Sequence, residues 1–520
     1  MASLKVLSGS PEASLPLNTS VRVGKDILGL LSTAMYTEPL AIVREYVQNA
    51  ADSIDVAYGS AILSAKKRGR IDITTDLQNR SLIIRDNGIG IERRNVQDIL
   101  VAFGVSGKRG TAARGFRGIG RLGGLGFAQR VVFRTRFVGE GQVSEIAWDC
   151  RALRAILGDP HERSDLGDVV RSVVTVRTML DRNFPEHFFE VELQNLARLR
   201  NDRLLNPDAL VSYLQQVAPL PFHPGLRCAQ AIAGFVEEFI PRQRIDISIN
   251  GSEPLSRPHR TSFFVAGNKT DRFSDLQLLK FDGASGGLAA IGWLLHHKYL
   301  GALKASPDIR GLRARVGDMQ IGDETLFTTA FREPRFNGWV VGELHILDRG
   351  IIPNGRRDDF ESTAAYSHLL NQLAPVGRDL ARRCRTSSLE RTTLRKFEDH
   401  EGAILLAAKR VRQRRITGRR MKTALSDARV RIAAMETLLT RCSSNKKVIA
   451  NLRARLHGCH SVLGKAKQEG DINPLSALPP HRRALLEEFL DVLHGCISNS
   501  KNADALVERV TKRLVRQYID

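Results

Sequence analysis

Residues 44 to 52 read Arg-Glu-Tyr-Val-Gln-Asn-Ala-Ala-Asp, inside a segment from 26 to 58 whose spacing predicts two helices with Pro39 in the first turn of the second. Glu45 and Asn49 stand four apart and Asp52 three further on. On a helix these carboxylate, amide and carboxylate groups share one face, while Val43, Val47, Ala50 and Ile54 pack on the other. Strands follow. IDITTD alternates apolar and polar residues, and SLIIRDNGIGI is a β-rich run closed by an Asp-Asn-Gly turn. Beyond a Gly-rich stretch at 104 to 126, VVFRTRFV and EIAWDC resume strand character, which predicts an α+β domain over 1–204.

From 205 to 385 the strand-like pieces RIDISIN, GLRARVGDMQIGD and GWVVGELHIL alternate with helical or loop segments such as GLAAIGWLLHHKYLGAL. This reads as a second α+β module. Residues 386–520 shift to Arg, Lys, Leu and Ala, interrupted at GDINPLSALPP, and read as long helices with one loop. No repeat of fixed period is visible.

Three local patterns carry chemistry. A carboxylate beside an amide oxygen, as in Glu45 and Asn49, suits ATP hydrolysis: the acid orients and deprotonates water, and the amide oxygen helps to hold Mg²⁺. A polar solvent face is the alternative for the same residues. Asp86, at the end of Leu82-Ile83-Ile84-Arg85, can accept the exocyclic amine of adenine, and Gly88 and Gly90 let backbone and base approach closely; a plain tight turn is the other reading. The third is Gly115-Phe116-Arg117-Gly118-Ile119-Gly120, preceded by Ser106-Gly107-Lys108. Bare N–H groups there can face an anion, and Lys108 adds positive charge. Gly118 to Gly123 also fits G-x-G-x-x-G, but no strand leads into it, which excludes a dinucleotide fingerprint, and no Walker A sequence is present.

The 520 residues imply more than one core. With 42% hydrophobic and 26% charged residues the chain reads as globular, and no run reaches the roughly eighteen apolar residues of a spanning helix. The N-terminus lacks the apolar core and cleavage site of a signal peptide, so a cytoplasmic location is expected. The six cysteines are far apart, without zinc spacing, and are expected as reduced thiols. A net charge of +22, from 78 basic and 56 acidic residues, suggests an acidic partner: nucleic acid, anionic lipid or an acidic protein surface.

Taken in order, an E-x-x-x-N helix (Glu45 to Asn49), a D-x-G-x-G turn (Asp86 to Gly90) and a G-x-x-G-x-G stretch (Gly115 to Gly120) resemble the GHKL ATPases, and among them the heat-shock protein 90 family. The resemblance implies a Bergerat-type sandwich, a middle domain of the ribosomal S5 domain 2-like type and a helical C-terminal region. It also implies ATP and Mg²⁺ as ligands, with Glu45 as general base, Asn49 as the Mg²⁺ ligand, and Asp86 on the adenine, helped by Gly88 and Gly90. Lys108, Gly115, Gly118, Ile119 and Gly120 would contact the phosphates. Asn354-Gly355-Arg356-Arg357-Asp358 looks like the family's middle-domain loop, in which an arginine reaches the γ-phosphate; Arg357 fits that position, with Arg356 as its neighbour. The implied activity is that of a dimeric, ATP-driven clamp on a protein client. The basic C-terminal region keeps open a MutL- or MORC-like clamp on nucleic acid, and a scaffold that holds nucleotide without turnover.

Overall fold

The computed structural model describes residues 24–29, 38–64, 67–102, 114, 120–180, 182–198, 201–241, 244–266, 269–413, 416, 418–440, 446–471, 475, 478–497 and 500–518. They form two compact units, one of residues up to 298 with 302–381, the other of 299–301 with 382–520. The first is mixed α+β and the second is helical.

Among the described residues the first unit opens with α1 (Asp26–Gly29) and α2 (Leu40–Gly59). Pro39 stands where a helix start needs no donor, and the Glu38 carboxylate accepts the Leu40 N–H at 3.1 Å, satisfying one of the orphan groups of the first turn. Seven strands form the first sheet: β1 (Gly69–Asp76), β2 (Ser81–Asp86), β3 (Arg130–Arg136), β4 (Val143–Asp149), β5 (Val174–Met179), β6 (Phe188–Gln194) and β7 (Ile245–Ile249). Their order is β5-β4-β3-β6-β2-β1-β7, antiparallel except for the β1/β7 pair. Alternation in β1 and β2 turns Ile71, Ile73, Leu82 and Ile84 inward, into one core with Val43, Val47, Ala50 and Ile54 of α2. Helices α3 (Val96–Val101), α4 (Cys150–Gly158), α5 (Leu166–Val173), α6 (Pro207–Val217) and α7 (Ala229–Glu237) fill the connections.

One sequence assignment is corrected here. RIDISIN was expected in the second module, yet it is β7 and extends the first sheet, with Ile71 paired to Ile247 and Asn250 N–H donating to Ile73 O at 2.8 Å. Parallel pairing across more than 170 residues has no local signature in the chain.

The second sheet holds β10 (Asp275–Asp282), β11 (Leu288–His296), β12 (Gly311–Val316), β13 (Met319–Ile321) and β14 (Val341–Ile346), in the order β10-β11-β14-β12-β13, beside a ribbon of β8 (Ser262–Phe264) and β9 (Thr270–Arg272). The apolar run GLAAIGWLL, expected as helix or loop, is the strand β11. It is buried along almost its whole length between β10 and β14, and a strand covered on both faces loses the alternation that would identify it.

This sheet also buries charge. Glu343 on β14 accepts from Arg257 and, at 2.7 Å, from Arg315 Nε; Arg257 also donates to Asp318 Oδ1 at 2.5 Å. Arg315 reaches Gln216 O at 2.6 Å and Arg257 reaches Leu220 O at 2.9 Å, so the same cluster holds the chain leaving α6.

The helical region comprises α8 (Ala364–Arg412), α9 (Gly418–Thr440), α10 (Lys446–Asp471), α11 (Pro480–Gly495) and α12 (Ser500–Tyr518), and the division between the units falls within α8. Phe397 and Ile404 of α8, Ile432 and Met435 of α9, and Leu452, Cys459 and Leu463 of α10 form its main core. Among the described residues no helix is long and apolar enough to cross a membrane. The described cysteines, Cys150, Cys228, Cys384, Cys459 and Cys496, are free thiols, and Cys442 lies outside the described residues.

Candidate functional site

Helix α2 presents its polar residues to the interior rather than to solvent. Glu45 is 7% exposed and Asp52 4%, and Asn49 is half-buried. That rules out a plain solvated face for them, because an ionisable side chain stays buried only when other groups meet it.

Glu45 is met by Arg357. The Arg357 Nε lies 3.0 Å from Glu45 Oε1, and its Nη1 donates to Gln48 Oε1 at 2.5 Å. This arginine comes from the loop after β14. Asn354 closes that loop on itself, donating from Nδ2 to Asp358 Oδ1 at 2.6 Å and accepting Asp358 N–H at 3.2 Å. Arg44, one residue before Glu45, donates to Arg356 O at 3.1 Å and Arg357 O at 3.5 Å, so adjacent residues of α2 hold the loop by its backbone and by its side chain. Arg356 points elsewhere and pairs with Asp358 at 3.1 Å, both half-exposed. Of the two arginines the sequence left open, Arg357 is therefore the one beside Glu45.

Gly120 packs against the same carboxylate. A Cβ there would stand 2.2 Å from Glu45 Oε2, so any larger residue displaces the acid. Gly120 begins a 3-10 segment, Gly120–Gly126, that Tyr46 pins by donating to Arg121 O and accepting Gly124 N–H, both at 3.1 Å. Lys108, Gly115, Gly118 and Ile119 lie outside the described residues.

Asp86 ends β2 and is 3% exposed, with one carboxylate oxygen accepting Gly88 N–H at 2.8 Å. A Cβ on Gly88 would come within 2.2 Å of Ser53 Oγ on α2, and Gly90 adopts φ +76 with Arg136 O 2.1 Å from where a Cβ would be. Only glycine fits either position, and the turn consequently lies hard against α2. Asn87 instead ties the turn to the start of β1, accepting Arg70 N–H at 2.6 Å.

Two contributors were not singled out from the sequence. Gln48 shares Arg357 with Glu45. Arg114 donates its N–H to Asp52 Oδ1 at 3.0 Å, pairs with Asp55 at 2.6 Å, and reaches Gly317 O, in the turn between β12 and β13, at 2.6 Å. Burial opposes the charge on Arg114, but the carboxylates of Asp55 and Asp52 outweigh it and hold the guanidinium firmly protonated. Chemically, the site assembles a carboxylate, a neutral amide and an arginine from a distant loop around one helix, with a second carboxylate at a strand end.

No family profile matches the chain. The similarity is to the chaperone HtpG. The Alkaliphilus metalliredigens protein is 26% identical over 199 residues, 35% of this chain and 31% of its own length. HtpG of Anaplasma marginale is 30% identical over 178 residues (32% and 26%), and that of Fusobacterium nucleatum 37% identical over 90 residues (16% and 15%). The matched stretch thus spans less than a third of these relatives. The relationship it supports is heat-shock protein 90-like.

Proposed function

We propose that the chain is an ATP-dependent clamp of the heat-shock protein 90 kind, with a GHKL-type nucleotide site on α2 and the β2 turn, a middle domain that lends Arg357, and a helical C-terminal region. The observation that carries this reading is the Arg357–Glu45 pair: a loop more than 300 residues along the chain delivers a cation to the one helix acid suited to activating water. Glu45 is the general base, Asn49 the Mg²⁺ ligand, Asp86 the acceptor for the adenine amine, and Gly88, Gly90 and Gly120 the close-approach positions. Lys108, Gly115, Gly118 and Ile119 complete the phosphate side. Nucleotide domain 1–204, with β7 added, middle domain 205–385 and helical region 386–520 are the working division.

The donor set suits Mg²⁺-nucleotide. Asn49 offers one amide oxygen on the half-buried face of α2 beside Glu45, and Mg²⁺ characteristically takes few protein ligands, completing its shell with phosphate and water. When ATP binds, Arg357 exchanges the Glu45 carboxylate for the γ-phosphate, which frees the acid for water and neutralises charge in the transition state. Engagement of the Arg357 loop and hydrolysis are coupled in this way.

Steady-state ATP hydrolysis by wild type and by Glu45→Ala, Arg357→Ala and Arg356→Ala tests the assignment. Glu45→Ala is expected to lose about 10²- to 10⁴-fold and Arg357→Ala about 10³-fold or more, while Arg356→Ala stays close to wild type. Unchanged turnover in Glu45→Ala would sink the reading.

A further inference from the structure

Positive charge is concentrated in the helical part of the chain. Residues 382–520 hold 30 Lys and Arg against 14 Asp and Glu, whereas the preceding 381 residues hold 48 against 42. Some of those cations serve the fold: Arg410 pairs with Asp504, Arg420 with Asp491 and Arg455 with Glu401. Others do not. Lys422, Arg429, Lys446, Arg453 and Lys467 are exposed, and among the described residues none of them has an ion pair.

Their spacing places them in two rows, one along each helix. Lys422, Arg429 and Glu436 recur every seven residues along α9, and Lys446, Arg453, His460 and Lys467 every seven along α10. Seven residues are nearly two turns, so each set is a row with about 10.5 Å between members. The rows meet across a groove of about 400 Å³, with Arg429, Glu436, His460 and Lys467 on its rims and Leu425, Ile432 and Leu463 among its lining. The only carboxylate in either row, Glu436, lies 3.3 Å from His460 Nε2. Arg429 and Lys467 line the groove itself, and Lys422, Lys446 and Arg453 extend the same two rows along α9 and α10; like charges arrayed in this way favour a polyanion that neutralises them.

We propose that this α9–α10 face binds the phosphate backbone of nucleic acid. The row on α10 extends over 21 residues, about 31 Å, comparable to roughly nine steps of a strand whose charges repeat every ~3.4 Å. A continuous, evenly charged polymer matches evenly spaced cations along that length. An acidic protein surface, with its mixed charges, matches them less well. The apolar lining is open to sugars and base faces.

The test is fluorescence anisotropy on the full chain, without nucleotide and so independent of turnover. The probes are a labelled 25-nucleotide single strand, the same sequence as duplex DNA, and a polyglutamate of similar charge, in 50 to 200 mM salt. Five phosphate contacts give a slope of log affinity against log salt of about −3.5 for the single strand and about −4.5 for the duplex. The form bound more tightly at equal salt is the preferred one. Arg429→Gln/Arg453→Gln/Lys467→Gln is expected to weaken binding at least tenfold and to flatten the slope by about two units. Arg431→Gln/Lys465→Gln/Arg513→Gln removes the same charge from exposed positions off this face and is expected to stay within about twofold. Arg453→Gln alone, read as a flattening of about 0.7 to 0.9, covers a triple that fails to fold. Equal losses in the two triples, no nucleic-acid binding at 50 mM salt, or tighter binding of polyglutamate would overturn the proposal.

Discussion

At the scale of single residues, Arg357 sits in the left-handed region, φ +57, where a non-glycine residue costs on the order of 1–3 kcal/mol. The Asn354–Asp358 closure and the two Arg44 hydrogen bonds hold it there, which aims the guanidinium at Glu45. A second residue under constraint is His259. It is fully buried against Phe222 and Trp293, and burial, aided by Arg257, Arg313 and Arg315 and opposed by Glu343, pushes its imidazole down to about 3. An unfolded histidine takes up its proton near pH 6.5, so the folded state loses stability as pH falls from there toward 3, by up to about 1.4 kcal/mol per pH unit. Denaturant unfolding between pH 7 and 4 is expected to show this decline in the wild type and a shallower one in His259→Phe. Parallel declines would assign the effect to other groups.

Among the elements, β14 and β12 carry the least expected feature, carboxylate and guanidinium groups inside a sheet. Burial raises the cost of ionising Glu343, yet Arg257 and Arg315 outweigh it and hold the carboxyl well below the usual carboxylate range. Glu343→Ala leaves both arginines facing each other without that anion. It is expected to cost about 3–5 kcal/mol in urea unfolding, and a loss under about 1 kcal/mol would mean that Asp318 and the carbonyls at 216 and 220 suffice. Such partners were illegible in the sequence, because Arg257 and Glu343 are 86 residues apart and nothing local marks them as a pair. What was legible rested on short spacing. The four-residue step from Glu45 to Asn49 gave α2 its polar face, and the run Leu82-Ile83-Ile84 gave the strand that ends at Asp86. Arg114 escaped notice for the same reason as the sheet cluster: its partners Asp52 and Asp55 lie about sixty residues away, in a chain where arginine is too common to signal anything. The strand β11 was missed for a different reason, since burial on both faces erased its alternation.

On the scale of the whole molecule, the clamp reading calls for two copies, and α11 offers the surface. Leu485, Phe489 and Val492 are 71%, 52% and 61% exposed and follow a four-then-three spacing, so they form one apolar stripe. Sedimentation velocity at tens of micromolar is expected to give a dimer for the wild type and a monomer for Phe489→Asp. A monomeric wild type would remove the second copy from the proposal. The return of β7 to the first sheet has its own consequence. A fragment cut after residue 204 keeps every α2 and β2 site residue but strips the last plank from the sheet, leaving the β1 backbone from Gly69 to Ile73 unpaired at a raw edge. The part of the chain that carries α2 and the first sheet is therefore not a separable cassette: the chain leaves that sheet, runs through α6 and α7, and comes back to finish it before building the next.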